Sequence, residues 1–181
     1  GAFWSWNGGA NWRPIGGGFP TVAVNDLVVH PRDNDLVLAT HGRGVWILDQ
    51  LNALQEMTPA VAGRASHLFS IEDAEQIRYR SHRAHTGNMI FEGENPPDGA
   101  ILDYWLRDGV SGPTLTVHDE RGEWVADVRA PAAAGFNRAV WNLRHGIPAD
   151  RRPTSGGGGG FGFGGGLPGP YVGPGVYTVR L

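Results

Sequence analysis

The sequence predicts an all-β chain, and three observations lead to this prediction. Glycine (29 residues) and proline (13 residues) are together about twice as frequent as usual. Between them lie short segments in which apolar and polar residues alternate with the period of a β-strand. Most of these segments end at glycine, asparagine or aspartate, which are turn residues. The longest apolar segment is far shorter than the roughly 18 residues that a membrane span needs.

Residues 1–50 predict strands joined by tight turns. The segments "NDLVVHP" and "DLVLATHG" flank "RDND", a four-residue polar connection that is typical of a β-hairpin. The segment "GVWILD" follows as a further strand. We therefore expect a three-stranded antiparallel arrangement in this part of the chain.

The pattern changes after Gln50. Leu51, Leu54 and Met57 lie near helical spacing, and Pro59 follows them, which predicts a short helix or an irregular connection. The next segment, "HLFSIEDAEQIRYRSHRAHTG", has mixed charge and weak periodicity. We therefore predict that residues 51–87 form a linker that lies on a surface.

Residues 88–181 are rich in predicted strands, found in "MIFEG", "AILDYWL", "PTLTVHD", "EWVADV", "NRAVWNL" and "GVYTVRL". Alternation places apolar residues on one face of several strands: Leu102, Tyr104 and Leu106; Leu115 and Val117; Ala139, Trp141 and Leu143; Tyr177, Val179 and Leu181. Six strands in about 94 residues approach the roughly seven strands of an immunoglobulin-like sandwich. We predict an incomplete sandwich of this kind, with the glycine-rich segment 156–166 as a flexible loop.

Composition excludes several classes of function. The net charge is only -3, so nothing in the charge favours nucleic acid or an anionic membrane as a partner. No cysteine is present, which excludes disulfides, zinc–thiolate sites and cysteine nucleophiles. The chain starts "GAFWSW", without an initiator methionine or a signal-peptide pattern, and stops on the strand pattern "GVYTVRL". We expect it to be a fragment of a longer protein.

One short motif is specific. In "SWNGGANW", Ser5, Asn7, Gly9 and Trp12 follow the pattern S-x-D/N-x-G-x-x-W. This pattern resembles the Asp-box, a turn that recurs between the outer strands of blades in sialidase-like and sortilin-like β-propellers. The resemblance implies that the asparagine side chain caps its own turn, that glycine supplies the backbone conformation, and that tryptophan packs between neighbouring blades.

A longer resemblance extends from this motif. "VNDLVVHPRDNDLVLATHGRGVWILD" resembles the closing blade of secreted bacterial BNR-repeat proteins, the sialidase-like or VPS10/sortilin-like glycosyl hydrolases. "AGFNRAVWNLRHGIP" and "GPGVYTVRL" resemble the FlgD-like immunoglobulin-fold module that follows such propellers. After Asp49 the motif does not repeat, which suits a last blade. The implied fold is all-β: the terminal part of a β-propeller (residues 1–50, about one blade), a linker, and an immunoglobulin-like β-sandwich.

The resemblance implies a secreted or periplasmic bacterial protein and leaves its function open. One alternative is a sialidase-like glycosyl hydrolase whose catalysis, if any, is performed by blades outside this chain. The other is a non-catalytic, sortilin-like propeller that binds peptides or glycans, with the immunoglobulin-like module as a spacer or docking domain. A purely structural surface module is a third class. In both propeller hypotheses, the other blades of the same propeller are expected partners of residues 1–50.

The first fifty residues predict no catalytic residue. Sialidases use a tyrosine nucleophile, and residues 1–50 contain neither tyrosine nor glutamate. The tyrosines all lie later, at positions 79, 104, 171 and 177. Asp33 and Asp35 belong to a predicted turn, where aspartate is common, so we interpret them as structural.

His41 and Arg43 are the only candidate ligand-binding pair in the predicted blade. Because they are two residues apart, we expect them on one face of a strand. They would bind an anionic or sugar ligand, or else hydrogen-bond to neighbouring strands or acids while Gly42 and Gly44 allow close packing. His82 and His85 have a spacing that suits a metal on a helix, but no third ligand is near. We therefore predict no metal site and no cofactor.

Overall fold

The computed structural model describes residues 1–77, 93, 95–148 and 169–181. Several predicted features lie outside these residues: most of the strand in "MIFEG", Tyr79, the pair His82 and His85, and the glycine-rich segment 156–166.

The described chain consists mostly of strands in small sheets, with two short helices, so the predicted all-β class is confirmed. In chain order the elements are β1 (Phe3–Trp4), β2 (Arg13–Pro14), β3 (Val24–Val29), β4 (Leu36–Thr40), β5 (Val45–Leu48), α1 (Asn52–Glu56), α2 (Pro59–Ala62), β6 (Ser66–Leu68), β7 (Ala100–Leu106), β8 (Thr114–His118), β9 (Trp124–Arg129), β10 (Gly135–Trp141) and β11 (Thr178–Arg180). The sheets have the orders β1-β2, β3-β4-β5, β10-β7-β6 and β11-β8-β9.

The chain divides into two compact units. The first comprises Gly1–Glu72, Asp103–Gly109 and Ala133–Asn137, and the second comprises Asp73–Leu102, Val110–Ala132 and Arg138–Leu181. The first unit therefore contains the three-stranded sheet of β3, β4 and β5 together with two stretches from the predicted sandwich region.

The sheet β3-β4-β5 has the antiparallel order that the "RDND" hairpin predicts. Leu38 of β4 lies opposite Leu27 of β3 and Trp46 of β5. On this face Leu36 and Leu38 are buried and form a core cluster with Leu51. The cluster is covered by residues from the segment before β1, from the segment after β2, from the helical region and from the sheet itself: Ala2, Ile15, Phe19, Val24, Trp46, Leu48 and Leu54.

The opposite face of this sheet is also apolar but is much less covered. Val28, Val37 and Ile47 lie side by side across the three strands, and Ala39 lies opposite Val45. The side chains of Val28, Val45 and Ile47 are 54 %, 64 % and 59 % exposed. The sheet thus carries apolar residues on both faces; the described residues cover one face at β4 and β5 and leave Leu27 and Val29 of β3 exposed on it.

The region after β5 forms two short helices, in place of the single helix or irregular connection that was expected. Thr58 caps α2, because its side-chain oxygen accepts a hydrogen bond from the Val61 nitrogen. Pro59 occupies the first turn of α2, where a missing N–H costs nothing, so it begins a helix as well as ending the previous one. Met57 and Val61 are buried in a second cluster with Ala53 and Phe69.

The strands of the second half show the predicted alternation. Leu102, Tyr104 and Leu106 are buried in β7, and Leu115 and Val117 are buried in β8. Burial raises the pKa of the Tyr104 phenol, because the charged form loses its hydration.

Two local features differ from the sequence pattern. Leu143 does not continue the face of Ala139 and Trp141, because it lies beyond the end of β10 with a φ of 56°. In addition, Ser66–Leu68 forms β6 within the predicted linker and pairs antiparallel with β7. A strand of three residues is too short to show alternation in the sequence.

Gly99 precedes β7 at a position that no side chain fits. Its φ is 134°, and a Cβ atom there would lie 2.1 Å from the carbonyl oxygen of Trp141. Glycine is therefore required by both the backbone conformation and the close approach of β10.

The described residues contain no helix with the length and apolar character of a membrane span.

Leu38 and Leu27 lie on the same face, so this matched pair tests whether the core on that face is centred on β4 and not on the edge strand β3. Leu38 is 2 % exposed and Leu27, directly opposite, is 59 % exposed. We expect Leu38→Ala to lower the free energy of unfolding by about 2–5 kcal/mol, because it opens a cavity. Leu27→Ala should change it by about 0.5 kcal/mol or less. Urea denaturation measures both, and equal losses would contradict the burial described above.

Candidate functional site

The motif around Ser5 forms the loop of a β-hairpin. Phe3 and Trp4 of β1 pair antiparallel with Pro14 and Arg13 of β2. The motif residues fill the connection between these two strands. The sequence folds locally in this way because two adjacent glycines, Gly8 and Gly9, adopt positive φ angles of 67° and 89°.

Side-chain hydrogen bonds hold this loop. The Ser5 hydroxyl oxygen accepts from the Gly9 nitrogen at 2.9 Å, and the hydroxyl donates to Asn7 Oδ1 at 3.0 Å. Asn7 Oδ1 also accepts from the Asn11 nitrogen at 2.9 Å. The asparagine side chain therefore bonds to the backbone of its own turn, and serine connects the start of the loop to its glycine.

The two tryptophans of the motif have different surroundings. Trp12 is 62 % exposed, and its ring lies beside Gly9, where an added Cβ would be 3.6 Å from it. Trp6 packs on Trp4, with ring centroids 5.2 Å apart. The Arg13 guanidinium lies over the Trp6 ring, 4.6 Å from its centroid. Trp12 thus offers its ring to the surroundings, whereas Trp6 is held by its neighbours.

His41 and Arg43 lie in the loop between β4 and β5, and not on one face of a strand as expected. The physical reason is that Gly42 and Gly44 have φ angles of 80° and 72°, which reverse the chain. Nothing lies within 4 Å of a Cβ placed at either glycine, so turn conformation, and not close packing, accounts for these residues. The Thr40 nitrogen donates to the Gly44 oxygen at 3.1 Å and closes the loop.

The side chains of His41 and Arg43 are exposed and, within the described part of the chain, take part in no hydrogen bond or ion pair. Their backbone groups are used: the His41 nitrogen donates to the Ala23 oxygen at 2.9 Å, and the Arg43 oxygen accepts from the Trp46 indole nitrogen at 3.1 Å. The loop is anchored through its backbone, and its imidazole and guanidinium groups remain available.

Three of the four carboxylates of the first fifty residues serve local structure. Asp33 accepts two hydrogen bonds from Arg32, at 2.7 and 2.8 Å, and lies 3.1 Å from His30 Nδ1. The hydrogen bond from Arg32 lowers the pKa of this carboxyl. Asp35 accepts from the Gln50 nitrogen at 2.9 Å, and Asp26 accepts from the adjacent Leu27 nitrogen at 2.8 Å. These contacts support the structural interpretation of the turn acids.

Sequence reasoning did not identify the role of Asn34. Its φ is 50°, and its side-chain amide exchanges hydrogen bonds of 3.0 and 2.9 Å with the amide of Gln55. Its Nδ2 also donates to the Asn52 side-chain oxygen. Asn34 therefore joins the loop after β3 to α1. The signal in the sequence was asparagine within "RDND", because asparagine tolerates this backbone conformation better than most residues.

No group of three or more histidine, aspartate or glutamate side chains in the described ranges is placed to hold a metal ion. An open, mainly apolar groove of about 590 Å³ lies between β1 and β3 in the first unit. Leu36, Leu38 and Leu51 are among its lining residues, and Asn25 and Asp26 contribute polar groups. It contains no arrangement of acid and base that would suit catalysis.

No protein-family model matches the chain, and no curated protein or solved structure is significantly similar to it.

The hydrogen bonds of Asn7 can be tested by substitution. Asn7→Ala removes the acceptor for the Asn11 nitrogen and the Ser5 hydroxyl, so we expect the free energy of unfolding to fall by about 1 kcal/mol. Asn25→Ala is the matched control, because Asn25 is exposed and should change stability by about 0.5 kcal/mol or less. Thermal denaturation followed by tryptophan fluorescence measures both variants. An Asn7 variant as stable as the control would refute a capping role.

Proposed function

We propose that this chain belongs to a secreted or periplasmic BNR-repeat protein of the sialidase-like glycosyl hydrolase type. In this proposal residues 1–50 are the terminal blade region of its propeller, and the later strands form an immunoglobulin-like module. The chain contributes architecture, and any hydrolytic chemistry is performed by blades outside it.

The hairpin loop of Ser5, Asn7 and Gly9 is the observation that carries this proposal. The side-chain bonds of Ser5 and Asn7, together with the positive φ of Gly9, give a loop in which each of these motif residues has a structural task. The exposed Trp12 ring is available to a neighbouring blade, which is the role that the Asp-box resemblance implies.

The two apolar faces of β3-β4-β5 provide further support. A sheet in a propeller is covered on both sides, because each blade packs between two others. The described residues cover one face of this sheet at β4 and β5, and the other face exposes Val28, Val45 and Ile47. An exposed apolar face of this kind is what a terminal blade needs for contact with the rest of its propeller.

The immunoglobulin-like part of the proposal is supported by the strands of the second half. The orders β10-β7-β6 and β11-β8-β9 give two small sheets, and both contain strands with alternate buried residues. This is the strand pattern of a sandwich.

The proposed absence of catalysis by residues 1–50 is supported by three of their four carboxylates. Asp26, Asp33 and Asp35 are each engaged with backbone groups or with Arg32 and His30. Glycosidases that use two carboxylates hold them about 5–9.5 Å apart across a sugar, with one carboxylate free to attack or to act as a base.

We expect the purified 181-residue chain to hydrolyse no aryl glycoside, including an aryl sialoside, because its first fifty residues contain no tyrosine for a sialidase nucleophile and the acids of their turn are held by structural contacts. A fluorogenic aryl glycoside panel measures this, with a sialidase as the positive control. Hydrolysis above the buffer blank, in an activity that co-purifies with the protein, would overturn the proposal that this chain performs no catalysis. The sequences of the other blades would distinguish the enzyme from the binding protein. A tyrosine–glutamate pair, together with several arginines near the starts of blades, would support the enzyme.

The second candidate function is a non-catalytic, sortilin-like propeller that binds peptides or glycans. One observation favours it: His41 and Arg43 present an imidazole and a guanidinium from a loop whose backbone is already held. Arginine suits a carboxylate because its planar group can form two parallel hydrogen bonds.

The double variant His41→Ala, Arg43→Ala tests this candidate. Because both side chains are exposed, we expect the melting temperature to stay within about 2 °C of the parent. If the loop binds a carboxylated sugar, the NMR shift changes that sialyllactose causes in the parent will be absent in the variant. Neutral lactose is the control ligand. Unchanged shifts in the parent on addition of sialyllactose would remove this loop as a sugar site.

A further inference from the structure

The free edge of β5 is the feature from which the inference starts. In the sheet β3-β4-β5, β4 is central, and within the described residues neither β3 nor β5 has a further strand beside it. An edge strand presents unpaired backbone groups, and proteins usually protect such edges with charges, prolines, bulges or side-chain caps. The two edges of this sheet differ in that respect.

The hydrogen bonds of β4 show which backbone groups face each edge. Thr40 donates to the Gly44 oxygen on the β5 side, and His41 donates to the Ala23 oxygen on the β3 side. Antiparallel strands alternate hydrogen-bonded and non-hydrogen-bonded pairs. The N–H and C=O groups of Trp46 and Leu48 therefore point toward β4 and bond to it. The N–H and C=O groups of Val45 and Ile47 therefore point away from β4, to the free edge.

The edge of β3 is protected. The same alternation directs the Leu27 N–H outward, where it donates to the Asp26 carboxylate at 2.8 Å. The pairing of β3 with β4 is also shifted between Val24 and Asp26, which bends the strand. A bulge and a carboxylate at the edge are both features that prevent further pairing.

The edge of β5 has none of these protections. Its sequence, "VWIL", contains no charge and no proline, and the register with β4 is regular over all four residues. The outward-facing residues, Val45 and Ile47, are β-branched and are 64 % and 59 % exposed. Within the described residues β5 thus combines unpaired backbone groups, high β-propensity and no repulsive charge.

We propose that β5 pairs antiparallel with β5 of a second copy of this chain, which joins the two sheets into one of six strands. The register follows from the outward groups: Val45 lies opposite Ile47 of the second copy, Ile47 lies opposite its Val45, and Trp46 lies on the twofold axis. In this register the outward N–H and C=O groups of Val45 and Ile47 in each copy all form hydrogen bonds to the other copy.

The second copy is the preferred occupant because this strand is complementary to itself. A twofold axis through Trp46 satisfies every outward group of both strands, and an uncharged strand has no like charges to place opposite each other. The apolar row of Val28, Val37 and Ile47 would continue across the joint, because paired residues at the edge share a face. This inference goes beyond the proposed propeller and does not depend on it.

Cysteine cross-linking tests both the dimer and its register, since the natural chain has no cysteine. In the proposed register the Cα atoms of Val45 and the second copy's Ile47 are about 5.5 Å apart, within disulfide range. Two copies of position 45 are about 8 Å apart, which is too far. We expect an oxidised mixture of Val45→Cys and Ile47→Cys chains to give mixed dimers at about tenfold the yield of either same-variant dimer.

Proline provides a second test that leaves the β4 contacts in place. The Ile47 N–H faces outward, so Ile47→Pro removes a donor of the joint without removing one of β4. Ile47→Thr is the matched control, because it keeps the N–H and the β-branch. By sedimentation equilibrium toward roughly 1 mM, a range that a joint this small requires, we expect the parent and Ile47→Thr to form dimers and Ile47→Pro to stay monomeric.

Either of two results would overturn the proposal. One is a parent chain that stays monomeric over this whole concentration range. The other is mixed and same-variant cross-links in equal yield, which would indicate random collision or another register. If Ile47→Pro fails to fold, as judged by its melting curve, the cross-linking result decides alone, because Val45 and Ile47 are exposed and their cysteine variants keep the core intact.

Discussion

The alternating hydrogen bonds of the central strand β4 are the constraint on which the first unit depends. Successive residues of β4 bond in turn to β5 and to β3, as the bonds of Thr40 and His41 show. The same alternation, with the period of two in the side chains, puts Leu36 and Leu38 in the core and Val37 on the opposite face. One strand therefore determines which side chains form the core, which face stays apolar and exposed, and which backbone groups reach each edge.

Features that depend on residues near each other in the sequence could be predicted, and features that depend on distant residues could not. The hairpin at "RDND" and the buried rows of β7 and β8 were predictable, because turn residues and period-two alternation are local signals. β6 was not predictable, since three residues show no period and the strand exists only through its pairing with β7. Leu143 lost its expected place on the strand because its backbone turns to a positive φ.

The candidate site shows the same division between local and non-local signals. Ser5, Asn7 and Gly9 were recognisable because their hydrogen bonds stay within one loop. The placement of His41 and Arg43 was wrong, because spacing of two residues implies a common face only in an extended strand, and two glycines with positive φ end that strand. Asn34 reaches Gln55, 21 residues away, and no local pattern reports such a contact.

In the loop at His41 the backbone groups make the structural hydrogen bonds, and within the described residues the side chains of His41 and Arg43 stay free to bind a ligand. Its carbonyl and amide groups close the turn, bond to the segment before β3 and hold Trp46, so the loop needs nothing from the imidazole or the guanidinium. A residue whose side chain is not required for structure can be recruited for binding at little cost in stability. The acids of the neighbouring hairpin are in the opposite situation, because Asp33 and Asp35 are held by structural contacts. For this reason we propose the loop, and not the acidic turn, as a place where the first unit recognises an anion.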